Sequence, residues 1–377
     1  MNAIPGLADD ATVIARLLEH IDGRTTDLGD ETWREPVAHY RSTERFEAER
    51  AAMRRVPLAF CPSGALPQAG CWLARESAGT PLVAVRGDDR RVRVFRNACR
   101  HRGAQLVSGS GCQRAFACRF HGWTYALDGS LRHVPHEHGF PGLDKEKRGL
   151  AEVPSTETQG VVFVTQEASG EDAAASLAAL PPLVPERFRL VGSRESEQPV
   201  NWKLVVEGFL EGYHIKATHP KTFYPIQYDN TNVVERFGPH NRVAFPYQSI
   251  ERQRGLAPGE RSADGALTYV YHLFPWAIVA TFPGRIVMAT LEPLAVDRVR
   301  QLAFTFTDRP EGDAEAESFL ARGLDLVDAG TAEDNEVAAL VQRGLGSGAN
   351  EFLEFGRFES AIVHFHRRLR ETLGEAA

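Results

Sequence analysis

The sequence predicts an α+β protein in which an all-β module stands beside an antiparallel sheet covered by helices. In residues 1–50, apolar side chains recur every three to four positions, as in amphipathic helices. Residues 51–165 consist of short β-like runs separated by Gly, Pro, Asp and Ser, and residues 166–377 mix long apolar strands with further amphipathic helices. We therefore divide the chain into an N-terminal helical segment that packs on the last domain, a β domain and a mixed domain.

The elements can be placed in order along the chain. Two helices are predicted in the N-terminal segment, at residues 11–21 and 44–55. Strands of the β domain are predicted at residues 71–76, 81–87, 91–98, 116–120 and 160–166, with hairpin turns at 86–90 and 127–130. Residues 168–186, rich in Ala and Pro, predict a linker with one short helix. The mixed domain is predicted to contain a helix at 200–219, strands at 269–282, 285–294 and 298–308, and helices at 314–329, 333–345 and 354–373.

The composition is that of an ordinary globular protein. Of 377 residues, 43% are hydrophobic and 25% are charged, which excludes disorder, collagen and coiled coil as overall descriptions. The net charge of −7 argues against nucleic acid as the main partner. No stretch approaches the roughly 20 apolar residues of a membrane-spanning helix, and the N-terminus lacks a secretory signal pattern. We therefore expect a cytoplasmic protein that needs no membrane.

Two Cys and His pairs form the most specific motif in the chain. Cys99 and His101 make one pair, and Cys118 and His121 make the other. Tetrahedral Zn²⁺ accepts two Cys and two His, although structural zinc sites usually open with two closely spaced cysteines. A Rieske [2Fe–2S] cluster takes two Cys on one iron and two His on the other, so each pair supplies one ligand of each kind. The spacing favours the Rieske cluster over zinc.

The remaining cysteines carry no ligand pattern. Cys61, Cys71 and Cys112 bring the total to five, an odd number in a chain without an export signal. Such usage does not indicate a disulfide framework. We predict that these three residues are buried structural thiols.

The motifs C-R-H-R-G-A-Q-L and C-R-F-H-G-W-T-Y-A-L-D-G-S-L resemble those of the α subunits of Rieske non-haem iron ring-hydroxylating oxygenases. The resemblance covers residues 40–370, and Arg119 departs from it because Pro is frequent there. It implies a Rieske domain joined to a helix-grip catalytic domain with a mononuclear Fe(II). It also implies a homotrimer in which electrons cross between subunits to activate O₂.

A second metal site is predicted around His214 and His219. A helix turns by about 100° per residue, so five residues separate the two rings widely unless the helix ends between them. Pro220 favours such an end, because the residue before a proline avoids helical backbone. Two imidazoles and one carboxylate form the facial triad of mononuclear iron oxygenases. The resemblance assigns the carboxylate to Asp334, in the acidic run before Q-R-G-L; without it, Asp334 would be a helix-capping residue with Thr331.

Glu211 is the fourth candidate of this region. On a helix it would share a face with His214, three residues on. The family has a carboxylate here, most often Asp, that links the mononuclear iron of one subunit to the Rieske histidine of its neighbour. The alternative is an exposed helix Glu without a special role.

The partners follow from what the chain lacks. Neither a G-x-G-x-x-G dinucleotide motif nor a ferredoxin cysteine set is present, so a separate NAD(P)H-dependent reductase and possibly a ferredoxin must supply electrons. Residues 86–119 contain nine Arg against two Asp. This cluster either docks an acidic donor or is simply a solvated basic face.

The substrate is the least determined part of the prediction. Arg285 is a candidate for a substrate carboxylate or an ordinary surface residue, and the aromatic residues that follow the predicted linker are candidates for an apolar pocket: Phe245, Tyr247, Tyr271, Phe274, Trp276 and Phe282. We predict hydroxylation of an aromatic or cyclic small molecule. The alternative is N-demethylation or monooxygenation of a betaine- or carnitine-like quaternary ammonium compound, held by cation–π contacts. A non-catalytic Rieske electron carrier is a further alternative, but it would not need His214, His219 and Asp334.

Overall fold

The computed structural model describes residues 6–167, 173–312 and 314–375. The chain separates into two compact units. The β unit comprises residues 53–173, and the mixed unit comprises residues 1–52 together with 174–377. The start of the predicted linker, residues 168–172, lies outside the described residues.

The mixed unit begins with the N-terminal segment. Its elements are α1 (Asp10–Gly23), β1 (Trp33–Pro36), α2 (Ala38–Arg41) and α3 (Thr43–Met53). The Asp9 carboxylate accepts a hydrogen bond from the Thr12 N–H at 2.8 Å and so caps the start of α1. The apolar stripe of α1 is buried, which confirms the helical periodicity.

The β unit contains short antiparallel strands. They are β2 (Leu58–Pro62), β3 (Cys71–Ser77), β4 (Thr80–Arg86), β5 (Val92–Arg96), β6 (Gly109–Cys112), β7 (Phe116–Ala117), β8 (Thr124–Tyr125), β9 (Leu131–His133), β10 (Glu152–Val153), β11 (Ser155–Thr158) and β12 (Val161–Val164). They form three sheets, in the orders β10-β5-β4-β3-β6, β11-β12-β2 and β7-β8-β9. Both predicted hairpin turns are present, since one joins β4 to β5 and the other joins β8 to β9.

The β-unit core holds the two thiols of the Cys and His motif. Cys99 and Cys118 are buried among apolar side chains that include Phe116, Trp123 and Tyr125. The predicted strand at 116–120 ends after Ala117, because the Cys118 N–H instead donates a hydrogen bond to the carbonyl of Trp123, five residues later, at 2.8 Å. The loop that carries this motif is therefore anchored by its own cysteine in the core.

The prediction of three free buried thiols was wrong for two of them. Cys71 and Cys112 form a disulfide, and Cys112 is exposed. The two residues stand directly opposite each other on the antiparallel strands β3 and β6. This register is set by pairing between strands far apart in sequence, which residue spacing does not reveal. Cys61 is the buried thiol that was predicted, and burial raises its pKa to about 12.

The rest of the mixed unit is built on one large antiparallel sheet. Its further strands are β13 (Arg189–Gln198), β14 (Val233–Phe237), β15 (His240–Pro246), β16 (Leu267–Leu273), β17 (Ala277–Phe282), β18 (Arg285–Ala295), β19 (Arg298–Thr307) and β20 (Phe352–Phe355). Seven of them form a sheet in the order β13-β19-β18-β17-β16-β15-β14, while β20 pairs with β1. The helices are α4 (Ala173–Ala178), α5 (Trp202–Gly208), α6 (Ile215–Thr218), α7 (Ala314–Leu345) and α8 (Ser360–Leu373). None of the described helices is long and apolar enough to cross a membrane.

Two helix boundaries differ from the prediction. Residues 200–219 do not form one helix, because the chain leaves helical geometry after Gly208 and resumes it only at Ile215. Conversely, α7 runs unbroken through residues 314–345, where two helices were expected. Thr331 therefore lies inside a helix and cannot cap one. Within this helix, Gly330 has no Cβ and leaves room for the Phe223 ring to pack against α7.

A buried ion pair fastens α3 to α5. Lys203 and Glu49 are each only 1% exposed, and the Lys203 Nζ lies 2.9 Å from both Glu49 carboxylate oxygens. The same carboxylate accepts hydrogen bonds from the Trp202 Nε1–H at 3.0 Å and from the Arg45 Nε–H at 3.1 Å. Because Glu49 and Lys203 are directly paired and the carboxylate accepts further hydrogen bonds, their charges are tolerated in the core.

We predict that Lys203→Met lowers the free energy of unfolding by about 3 kcal/mol, the low end for a broken buried ion pair, because Arg45 still faces Glu49. Denaturant unfolding followed by tryptophan fluorescence measures this loss. The control is Lys147→Met, which removes a solvent-exposed lysine and should change stability by less than about 0.5 kcal/mol. Equal stability of the two variants would contradict the prediction.

Candidate metal centres

The two Cys and His loops of the β unit share one backbone geometry. In each loop the cysteine N–H donates to the carbonyl five residues later, and the N–H of the glycine four residues later donates back to the cysteine carbonyl. These bonds measure 2.8 and 2.9 Å for Cys99 with Ala104 and Gly103, and 2.8 and 2.9 Å for Cys118 with Trp123 and Gly122. Both glycines have positive φ angles, +76° and +77°, which other residues rarely adopt. The repeated glycine position was a signal in the sequence that the spacing argument did not use.

The loops bring their histidines together. The ring centroids of His101 and His121 lie 4.6 Å apart, and His101 stacks on Trp123. His121 is exposed, whereas both cysteines are buried. Within the described part of the chain, the buried Nδ1 atom of His101 has no hydrogen-bond partner. An orphaned imidazole nitrogen of this kind requires a ligand, and two thiols and two imidazoles fit a Rieske cluster.

The electrostatics of the loops favour ligation. Burial, together with the nearby His121 and Arg102, lowers the pKa of His101 and keeps its ring neutral. Tyr125 is a residue whose role the sequence reasoning missed. Its hydroxyl accepts a hydrogen bond from the Arg100 N–H at 2.9 Å and lies 3.2 Å from the Cys99 Sγ, so its proton is free to point at the sulfur. Hydrogen bonds to cluster sulfurs tune the reduction potential.

The mixed unit brings His214, His219 and Asp334 together. The two histidines flank the four-residue helix α6, with His214 before it and His219 after it. A helix therefore does end between them, at Thr218, as Pro220 indicated, although His214 precedes this helix. The Asp334 Oδ1 lies 2.9 Å from the His219 Nε2 and 3.7 Å from the His214 Nε2. One ligand atom of each residue lies within 4.8 Å of the others. This donor set fits the facial triad of a mononuclear iron.

In each histidine of the triad, the Nδ1 atom forms a hydrogen bond with a carboxylate. Glu211 is bound to the Nδ1 of His214, and the Glu333 Oε2 lies 2.8 Å from the Nδ1 of His219. With each Nδ1 donating to a carboxylate, each Nε2 presents its lone pair to a metal. Glu211 is buried, contrary to an exposed helix position, and it accepts the backbone N–H groups of Tyr213 and His214. Glu333 precedes Asp334 in the acidic run, but its contact with His219 could not be inferred from spacing.

The carboxylates also set the charge of the histidines. Burial lowers the pKa of His214, but the hydrogen bond and charge of Glu211 outweigh it and raise the pKa overall. Burial also lowers the pKa of His219, but Asp334 and Glu333 outweigh it, so the pKa of His219 is raised as well. In the absence of a metal the negative groups therefore favour protons on the rings. A divalent cation competes for the same place, so its binding should weaken as the pH falls.

The helix α7 positions Asp334 opposite α6. Gly323, Val327, Gly330 and Asp334 follow one another at helical spacing along one stripe of α7. The far end of the helix is tied to α5, because the Gln342 side chain accepts the Asn201 N–H at 2.7 Å. The carboxylate thus stands on a long helix that is fixed beyond the site.

The triad opens into a cavity lined by phenylalanine. A space of about 100 Å³ is bordered by His214, His219 and Asp334. Four aromatic side chains line it: Phe209, Phe223, Phe245 and Phe282. It shares Phe223, Gln227, Phe282 and Val327 with an adjoining cavity of about 530 Å³.

The aromatic pocket candidates divide into two groups. Phe245, Phe282 and Tyr247 line these cavities. Tyr271, Phe274 and Trp276 do not, since they pack against Arg242, Phe365 and Trp202 respectively. Phe209 and Phe223, which the sequence reasoning missed, lie on the chain close to the two histidines. Arg285 is buried and lines the larger cavity, so its assignment as a surface residue is excluded.

The fold and the two donor sets define a non-haem iron oxygenase with a Rieske domain. Residues 57–154 match the Rieske [2Fe–2S] domain family, and residues 185–375 match the catalytic domain of the ring hydroxylating alpha subunit family. The chain belongs to this family of oxygenase α subunits. Its cofactors are a Rieske cluster and a mononuclear iron, its co-substrate is O₂, and it is an enzyme rather than a mere electron carrier.

Individual relatives span most of the chain. The carnitine monooxygenase oxygenase subunit of Escherichia coli K12 is 27% identical over 362 residues, which cover 90% of this chain and 94% of that protein. The α 2 subunit of the terephthalate 1,2-dioxygenase terminal oxygenase from Comamonas is 25% identical over 84% of this chain and 87% of that protein. A solved quaternary ammonium Rieske monooxygenase has the same fold, with a TM-score of 0.76 and 21% identity over 98% of this chain and all of that one.

We predict that Glu333→Gln lowers the affinity for Fe(II) by about 10- to 100-fold, because the His219 ring loses the charged acceptor that orients it. Titration of the mononuclear site against an iron chelator measures this affinity. The matched control is Glu336→Gln, an exposed carboxylate on the same helix, which should leave it unchanged. The visible spectrum of the cluster should be identical in both variants. Wild-type affinity in Glu333→Gln would show that the contact is dispensable.

Proposed function

We propose that this chain is the terminal oxygenase for a quaternary ammonium compound of the betaine or carnitine type, which it oxidises at a carbon bonded to the nitrogen. The observation that carries the proposal is the triad of His214, His219 and Asp334 opening into a phenylalanine-lined cavity. Phenyl faces attract a quaternary ammonium ion that has left water. The similarity to a carnitine monooxygenase along most of the chain supports the same substrate class.

The proposed ligand assignments follow the two donor sets. Cys99, His101, Cys118 and His121 would hold the cluster, and His214, His219 and Asp334 would hold the mononuclear iron. When bound, the cluster supplies electrons one at a time and the iron supplies a place for O₂ to bind and be reduced.

The protein side chains orient the ligands and exclude water. Glu211 and Glu333 fix the orientation and tautomer of the two histidine rings. The phenylalanine rings keep the reacting carbon in an apolar space next to the triad. In the overall reaction one O₂, two electrons and two protons convert the quaternary ammonium ion into a protonated tertiary amine, an aldehyde and water.

We infer that electrons pass from the cluster of one subunit to the iron of a neighbouring copy in a homotrimer. Each centre has an exposed aromatic residue beside it: Phe120, 54% exposed, adjoins His121, and Tyr213, 60% exposed, adjoins His214. Exposed aromatic side chains are typical of protein interfaces. Glu211, bound to His214, would carry the electron path at the receiving subunit. A separate NAD(P)H-dependent reductase, possibly with a ferredoxin, would reduce the cluster.

An aromatic substrate is the second candidate. The same four phenylalanine side chains would hold a flat ring by edge-to-face and stacking contacts. The similarity to a terephthalate dioxygenase subunit supports this reaction class. The product would then be a hydroxylated ring instead of an aldehyde and an amine.

We predict that Glu211→Gln, with both metals kept bound by saturating Fe(II), slows electron transfer to the mononuclear iron, because the charged link to His214 is lost. Stopped-flow re-oxidation of the reduced cluster in a single turnover measures the rate. Glu211→Asp keeps the charge on a shorter arm and should recover a large part of it. A wild-type rate in Glu211→Gln would leave Glu211 with a purely structural role in the turn before α6, where it accepts the N–H groups of Tyr213 and His214.

The proposed reaction is tested by one turnover of pre-reduced, iron-loaded protein with O₂ and a panel of betaines, aromatic acids and polycyclic hydrocarbons. We expect mass spectrometry to detect an aldehyde and the matching tertiary amine. A hydroxylated ring without an aldehyde would refute the proposal in favour of the second candidate. As controls, His214→Ala should keep the cluster spectrum and lose all product, whereas Cys99→Ala should lose the spectrum itself.

A further inference from the structure

We propose that Arg285 forms a carboxylate-binding subsite in the cavity that adjoins the triad, so that the substrate is an organic acid held by its carboxylate. Binding of the acid at this subsite does not depend on the proposed function. Only the reaction that the bound acid undergoes rests on it. The inference adds the group by which the substrate is recognised, and it holds for a betaine and an aromatic acid alike.

The first observation is a buried cation without a counter-ion. Arg285 is 6% exposed, and its guanidinium makes no hydrogen bond or ion pair with any described residue. Its Nε is buried and has no partner within the described ranges. Burial lowers the pKa of Arg285, although an arginine remains charged in proteins. An unpaired buried charge is strongly unfavourable, so a partner from outside the chain is the expected solution.

The second observation is that the guanidinium is held in place. Its central carbon lies 4.8 Å from the centre of the Phe282 ring. On the other side it packs against α7 at Gly323, where the absence of a Cβ leaves room for the Arg285 Nη1. An added methyl group there would displace this end of the Arg285 side chain. A fork of N–H donors that is already oriented binds a carboxylate with little further loss of side-chain entropy.

The nearby titratable groups do not neutralise Arg285. Asp328 influences it electrostatically, but this carboxylate is well exposed and lies 3.3 Å from Arg194. Tyr247 is neutral because burial raises its pKa, and its hydroxyl lies 2.5 Å from the Thr268 Oγ1. The guanidinium thus keeps a full positive charge toward the cavity.

The third observation is the cavity itself. Among the described residues that line its 530 Å³, Arg285 alone carries a charge. Phe282 belongs both to this lining and to that of the smaller cavity at the triad, so the two spaces adjoin. One cation matches one carboxylate, whereas a phosphate dianion would require further positive groups. An acid bound at Arg285 can therefore place its hydrocarbon or trimethylammonium end beside the phenylalanine side chains at the triad.

The test uses the holoenzyme and two pairs of probes that differ only in the negative charge. One pair is 4-(trimethylammonio)butanoate and its methyl ester, and the other is 4-methylbenzoate and its methyl ester. Isothermal titration calorimetry should show that the wild type binds the acid about 10- to 100-fold more tightly than the ester in at least one pair, the range for a charge-assisted hydrogen bond. The pair that shows the preference distinguishes the two sources of carboxylate.

Arg285→Gln should abolish this preference and leave the ester affinity unchanged, and Arg285→Lys should restore part of it. Arg298→Gln, an exposed arginine on the same sheet, is the matched control and should keep the full preference. If Arg285→Gln fails to fold, as judged by far-UV circular dichroism, Gly323→Ala gives the decisive variant. Its added methyl group displaces the guanidinium without removing the charge, and it should reduce the preference in the same direction.

The subsite is refuted if neither acid binds the wild type more tightly than its ester, or if the preference survives in both Arg285→Gln and Gly323→Ala. Because calorimetry needs no turnover, this result is independent of the proposed reaction. An acid preference without any oxidised product would retain the subsite and overturn the proposed function. An oxidised product without an acid preference would retain the proposed function and overturn the subsite.

Discussion

The contact of α6 with α7 is the one on which the candidate iron site depends, because it brings His214, His219 and Asp334 together. Three carboxylates, those of Glu211, Glu333 and Asp334, converge there on two imidazole rings. Burial and then the charge of Glu211 are the main influences that raise the pKa of the neighbouring Glu359, to about 7. So much negative charge in a partly buried place is unstable by itself. A divalent cation at the proposed site would relieve the repulsion, and its binding energy would stabilise the contact between the two helices.

The two candidate metal centres bring their side chains together through different backbone arrangements. In the β unit, two loops with identical hydrogen bonds and a left-handed glycine present one thiol and one imidazole each. In the mixed unit, a single short helix separates the two histidines, and the third proposed ligand, Asp334, lies on a helix far along the chain. The first arrangement is local and repeated, whereas the second exists only once the sheet and the helices have assembled.

This difference explains what the sequence could predict. The Cys99 and Cys118 motifs were recognisable because all their geometry lies within a few residues. Asp334 needed the family resemblance, because nothing near it in sequence distinguishes a ligand from a capping residue. Tertiary packing hid the rest: the contact of Glu333 with His219, the continuity of α7 at Gly330, and the register that joins Cys71 to Cys112. Phe209 and Phe223 were missed for the same reason, since aromatic residues in core and cavity look alike in sequence, whereas Phe245 and Phe282 were correctly predicted to line the pocket.

The glycines of α7 have a consequence for how this enzyme can diverge. Alanine favours a helix over glycine by about 1 kcal/mol at each position, so Gly323 and Gly330 hold the helix below its attainable stability. Each leaves room for a side chain that lines the cavity, Arg285 in one case and Phe223 in the other. Selection for stability therefore favours alanine at these positions and a narrower cavity. Only selection for a particular substrate opposes this change. A descendant enzyme with alanine at these two positions would have a more stable helix α7 and would accept a different, smaller range of molecules. The three residues of the triad would remain unchanged.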